Sequence, residues 1–155
     1  MTPGINVAKK SKIPHKVHEY IHDSSSESYG LEAAEKMGVP EAQVFKTLVV
    51  SLNTRELVVG VVPVSSILSM KLIARAAGAK KAEMALPAEV ERSTGYVLGG
   101  VSPLGQRKKL KTIIDSSAQN HSTIYVSAGR RGLEIELAPV DLKDLVNGLF
   151  AEIGQ

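Results

Sequence analysis

The chain of 155 residues contains no cysteine, which excludes disulfides, thiolate metal sites and a protein thiol nucleophile. Aromatic residues make up only 4% of it, too few to stack several bases in a row. No apolar run approaches the ~18–20 residues that a membrane span needs. Residues 1–12 lack the apolar stretch of a signal peptide, so a cytoplasmic location is the expectation. Two catalytic signatures are also missing. The segment from Gly99 to Gly105 has no Walker spacing, and Leu104 stands where a G-x-S-x-G elbow requires glycine, so no serine hydrolase is expected.

What is present reads as one globular domain over residues 1–155, with 43% hydrophobic and 23% charged residues. A net charge of +3 permits a polyanionic partner without demanding one. Helix and strand signals alternate, which points to a mixed α/β fold. Thr2 followed by Pro3 opens a first helix that should end near Ser11. Residues 16–21 form a strand or a single helical turn, and residues 23–28 a polar loop. Residues 31–37 form a helix closed by Gly38. The valine-rich runs 44–52 and 56–64, separated by Asn53, Thr54 and Arg55, form a hairpin. Helices follow over residues 69–77 and 87–93, and four glycines with a proline shape a loop between Gly95 and Gly105. Strands are expected at residues 111–115, 123–127 and 133–137, the last two joined by the turn from Gly129 to Gly132, with a final helix from Pro139.

His18-Glu19-Tyr20-Ile21-His22 matches H-E-x-x-H, the zinc peptidase pattern that needs a sustained helix. Pro14 upstream and the serine-rich loop downstream leave no such helix, so no metal is expected and a metallopeptidase trails the other readings. Lys46 shares a strand face with Leu48 and Val50, while Phe45, Thr47 and Val49 form the other. Both faces are apolar, as in a central strand. A lysine there serves a ligand or a carboxylate partner, or else snorkels to the sheet end. Gly99 and Gly100, stiffened by Pro103, would let backbone amides approach an oxyanion, or form only a tight connection. Glu134 and Glu136 alternate with core residues, the pattern of a solvated face. Arg107, Lys108 and Lys109, like Arg130 and Arg131, form basic clusters suited to phosphodiesters.

Six segments together resemble one family. They are Glu32-Ala33-Ala34-Glu35-Lys36, Phe45-Lys46-Thr47-Leu48, Ser93-Thr94-Gly95-Tyr96, Gly99 to Gly105, Ile124-Tyr125-Val126-Ser127 and Arg131-Gly132-Leu133. Their pattern is similar to that of the YbaK-type aminoacyl-tRNA deacylases, free-standing relatives of the editing domain of bacterial prolyl-tRNA synthetases. The resemblance implies a mixed, partly barrel-like sheet surrounded by helices, and hydrolysis of cysteine mischarged onto tRNA(Pro) without a cofactor. It implies catalytic roles for Lys46, Gly99, Gly100, Val101 and Ser102. Substrate contacts fall on Tyr20, Thr47, Pro103, Ser127 and Glu136, where relatives often carry Asp. The tRNA would meet Arg107, Lys108, Lys109, Arg130 and Arg131, with a prolyl-tRNA synthetase as candidate partner. In this family the substrate's own thiol attacks the carbonyl, which suits a chain with no cysteine. Two alternatives stand beside this reading: a deacylase for another amino acid, such as alanine on tRNA(Pro), and a non-catalytic module that binds tRNA or a synthetase.

Overall fold

A computed structural model describes residues 1–26 and 28–155. Among the described residues, eight strands form two sheets. β1 (His15–Glu19), β7 (Leu133–Leu137) and β6 (Ile124–Arg130) make a three-stranded antiparallel sheet in the order β1-β7-β6. The larger sheet runs β4-β2-β3-β5-β8, with β2 (Phe45–Leu52), β3 (Leu57–Pro63), β4 (Ala82–Met84), β5 (Lys111–Asp115) and β8 (Leu149–Ala151). Here β2 is antiparallel to both neighbours, whereas β3, β5 and β8 are parallel. The sheets are joined by a bridge between Val44 and Tyr125 and do not close into a barrel.

The helices are α1 (Pro3–Ser11), α2 (Tyr29–Met37), α3 (Met70–Ala76), α4 (Pro87–Thr94) and α5 (Pro139–Leu145). Thr2 caps α1 through its side chain, which accepts from the Ile5 amide, and Pro3 takes the first turn, where its missing N–H costs nothing. Gly38 and Gly95 end α2 and α4 in the left-handed conformation. Among the described residues no helix is long and apolar enough to cross a membrane.

Strand alternation divides the core. Phe45 and Val49 of β2 pack with Ile124 and Val126 of β6 and with Leu133, Ile135 and Leu137 of β7, between the sheets. Val50 and Leu52 face the other way, against Ile73 of α3. α2 lies over the seam between the sheets, with Ala33 and Ala34 against Val44 and Tyr125. At β2, β4 pairs only with Val50 to Leu52. The first half of β2 therefore has no second sheet neighbour there, and a cavity opens beside it.

Of the H-E-x-x-H segment, His18 and Glu19 end β1, and Tyr20 to His22 follow outside any helix. Its polar groups go to three separate partners. The His18 Nε2 meets Glu136 at 2.9 Å, Glu19 meets Arg130 at 3.0 Å, and the His22 Nδ1 meets Glu32 at 2.7 Å. The zinc peptidase geometry is thus not formed.

Candidate functional site

Residues 44–48 of the β2 segment form one wall of a cavity of about 320 Å3. The other walls come from Tyr20 after β1, Tyr29 and Ala33 of α2, Leu98, Gly99 and Val101 of the glycine loop, and Ser127, Arg131 and Glu134 of the β6–β7 hairpin. Of the residues singled out in the sequence, Lys46, Thr47, Tyr20, Gly99, Val101, Ser127 and Arg131 converge here.

The polar groups of this cavity are short of partners. Burial pushes the Lys46 ammonium below its ordinary range, because a charge loses hydration between apolar neighbours. Thr47 Oγ1 is buried and, among the described residues, has no hydrogen-bond partner. Burial, reinforced by the charge of Glu134, pushes the Tyr20 hydroxyl up to about 12. The Ser127 hydroxyl accepts from the Gly129 amide at 3.1 Å.

Glu134 corrects the solvated-face expectation for β7. Only 7% of it is exposed, and burial raises its pKa from 4.5 to about 8. It sits opposite Ser127 in the β6–β7 register, on the face of the small sheet that turns away from the main core. Alternation shows that Glu134 and Glu136 share a face; whether loop and helix cover that face is decided by tertiary structure. Glu136 lies at the other end of the strand and outside the cavity wall, where it accepts from the Thr123 hydroxyl at 2.6 Å and pairs with His18. Its pKa is lowered: burial opposes the charge, but those two bonds outweigh it. The acidic wall residue is therefore Glu134.

The glycine loop also departs from expectation in detail. The Gly100 amide donates to Val97 O at 2.9 Å and is not free for a ligand. Glycine is needed there for packing, since a Cβ would lie 2.9 Å from Arg130 Cα. Ser102 is fully buried behind the wall, with its hydroxyl accepting from the Leu104 amide at 3.2 Å. Pro103 is buried as well and faces a different groove. Leu98, Gly99 and Val101 are the loop residues in the wall, and the amides of Gly99 and Val101 donate to no protein acceptor among the described residues.

The basic residues divide into two places. Arg131 is at the cavity, and Arg130 beside it is exposed and paired with Glu19. Arg107 packs near Gly95, while Lys108 and Lys109 line a surface groove with Arg55, Arg92 and Lys111. Lys111 opens β5 opposite Val58. This end of the large sheet is the one reached by the C-terminus of β2, roughly 20–25 Å from its cavity end at ~3.3 Å per residue.

With this geometry in view, residues 27–145 match the aminoacyl-tRNA editing domain. The chain belongs to that family. It is 41% identical over 155 residues to an Enterococcus faecalis protein named "Putative Cys-tRNA(Pro)/Cys-tRNA(Cys) deacylase EbsC", covering 98% of this chain and 92% of the relative. The editing-domain fold recurs in solved structures. One, described as a putative trans-editing enzyme for prolyl tRNA synthetase, superposes with a TM-score of 0.85 at 22% identity and covers 100% and 99% of the two chains. Another, hypothetical protein APE2540, superposes with a TM-score of 0.87 at 24% identity, over 99% of each chain. In this editing domain the sheet seam forms the cavity, and α2 and the glycine loop cover it.

Proposed function

We propose that the chain cleaves the ester of mischarged aminoacyl-tRNA, with cysteine on tRNA(Pro) as its substrate. The observation that carries this is a small cavity supplying, among the described residues, one desolvated cation, Lys46, and one buried acid, Glu134, with no histidine in its wall to activate a hydroxyl. Such a site is suited to holding and polarising an ester rather than to attacking it.

The chemistry divides as follows. The substrate thiol attacks its own ester carbonyl: the S–C bond forms, the C–O bond to the ribose breaks, and the thiol proton passes to the departing ribose oxygen. The products are free tRNA and a cyclic thiolactone, which water opens to cysteine. Lys46 and the unpaired amides of Gly99 and Val101 stabilise the negative carbonyl oxygen of the tetrahedral state. Glu134 ionises against the substrate ammonium, which replaces the hydration that burial removes. Thr47 gains its missing hydrogen-bond partner from the substrate, and Tyr20 and Ser127 confine the side chain. Gly100, Ser102 and Pro103 hold the loop from behind. Glu136 braces β1 through His18.

Arg130 and Arg131 guide the acceptor end to the mouth, and Arg107, Lys108 and Lys109 meet phosphodiesters farther along. A prolyl-tRNA synthetase supplies further tRNA selectivity, and the work takes place in the cytoplasm, where tRNA is charged. Replacing Arg107, Lys108 and Lys109 by alanine should flatten the salt dependence of tRNA binding, by ~0.7–0.9 in log K per log salt for each phosphate no longer neutralised.

Single-turnover deacylation of cysteinyl-, seryl- and alanyl-tRNA(Pro) at saturating enzyme tests the reaction. Rapid loss of cysteine with seryl-tRNA bound but nearly inert is expected, because exchanging SH for OH removes the nucleophile itself. Equal rates for all three would replace the substrate thiol by an activated water. Alanine alone reacting would reassign the substrate, and tRNA binding without any cleavage would leave a non-catalytic module.

A further inference from the structure

Three separate elements meet at the rim of the cavity. The guanidinium of Arg131, in the β6–β7 turn, lies over the ring of Tyr29 at the start of α2, 3.6 Å from its centroid. Its Nη2 donates toward Leu98 O of the glycine loop at 3.4 Å, which fixes the plane of the group. Gly99 makes room for it: a Cβ there would stand 2.6 Å from Arg131 Nε and 2.9 Å from the Tyr29 ring. Tyr29 is in turn held edge-on by His22, whose ring centroid is 5.7 Å away and whose Nδ1 is anchored on the buried Glu32. Tyr29, Leu98, Gly99 and Arg131 all belong to the cavity wall, while Arg131 itself is exposed.

A stacked arginine held by three elements is more than a point charge. A planar guanidinium backed by an aromatic ring presents its other face to a second planar group, and a nucleobase is the planar group that an aminoacyl ester brings to this rim. We propose that Arg131, backed by Tyr29, is the stacking platform for the terminal adenine of tRNA, an inference that rests on the deacylase reading. It gives the site one base to hold, in keeping with a chain of few aromatics.

The test compares 3′-O-cysteinyl adenosine with the cysteinyl ester of 1-O-methyl ribose, which keeps the ester and loses the base. For the wild type, removing the base should raise KM at least ~10-fold. Arg131→Lys keeps the charge but not the plane, and Tyr29→Leu removes the backing ring. Each should raise KM for the adenosine ester by a similar factor, with the loss falling on KM rather than kcat, and should add little to the loss already seen with the base-free ester, since base and platform form one interaction. If either variant harms both esters equally, Arg131 and Tyr29 shape the cavity and the platform is overturned; it is also overturned if neither variant changes KM. Should the wild type leave every cysteinyl ester intact, the deacylase reading fails, and the platform is judged by equilibrium binding of the trinucleotide CCA and of the same oligomer with an abasic 3′ end. A preference for the base that Arg131→Lys abolishes upholds it, and equal binding of the two refutes it.

Discussion

Two buried acids in this molecule live in opposite conditions. Asp115, at the end of β5, accepts four hydrogen bonds: Oδ1 takes the amides of Ile153 and Gly154 at 2.9 Å each, and Oδ2 takes the amide and hydroxyl of Ser117. Its pKa is lowered, because although burial opposes the charge, those donors outweigh it. Glu134 is buried to the same degree, 7% exposed each, yet accepts no hydrogen bond among the described residues, and its pKa rises to about 8. The first acid is fully employed in holding the C-terminal segment to the sheet. The second is left without a cation, in the wall of a cavity that also holds Lys46 and a Thr47 hydroxyl without a partner among the described residues. Burial alone does not mark a functional residue; burial facing a cavity without satisfaction does.

The comparison can be broken first at Asp115. Asp115→Ala strands two backbone amides at the tail and should cost about 3 kcal/mol of stability, read by denaturant unfolding, with deacylation per folded molecule retained. Lys46→Ala should do the reverse, lowering deacylation at least ~100-fold, about 2.7 kcal/mol of transition-state stabilisation, with melting hardly changed. Activity surviving within a few-fold would return Lys46 to a snorkelling strand residue.

Glu134→Gln sharpens the contrast through pH. In the folded protein this carboxyl keeps its proton up to about 8, whereas the unfolded chain releases it near 4.5. The folded state therefore binds the extra proton in that window, and wild-type stability falls as pH rises through it. Asp115 has the opposite sign: its contribution is present above the ordinary Asp range and is lost as pH falls below it. The melting advantage of Glu134→Gln over wild type should thus grow between pH 5 and pH 8 and level off above, and KM for the aminoacyl substrate should rise ~10-fold, about 1.4 kcal/mol. A constant melting difference across pH would mean that Glu134 is solvated after all. The smallest effect is expected for Thr47→Val, which removes a buried hydroxyl that has no partner among the described residues. Calorimetry should find stability unchanged or raised by up to ~1 kcal/mol, with a modest loss of activity.

Much of this fold is legible in the sequence because its signals are local. Thr2 with Pro3, Gly38, Gly95 and the valine-rich hairpin each act within a few residues of themselves. β4 and β8 are not legible. Each is three residues long and exists because a neighbour offers backbone partners, Val50 to Leu52 for one and Ile113 to Asp115 for the other. The same limit applies at the site. Lys46 stands out as a charge in an apolar strand, and Gly99 as part of a glycine pair. Glu134 and Tyr29 do not, since nothing local distinguishes a glutamate facing solvent from one covered by α2 and a loop more than 30 residues away. Gly100 has the right residue type for a different reason, its close approach to Arg130.

The placement of the cavity on the seam has a dynamic consequence. Among the described residues the two sheets share one bridge, Val44 to Tyr125, and Val44 O also receives the Val64 amide at 2.8 Å. A molecule that holds Glu134 of the small sheet and Lys46 of the large one spans that joint as a cross-brace. Occupancy therefore lowers the population of states in which the sheets part, and amide hydrogen exchange should slow in β2 and β7 together, although the strands exchange no hydrogen bond with each other.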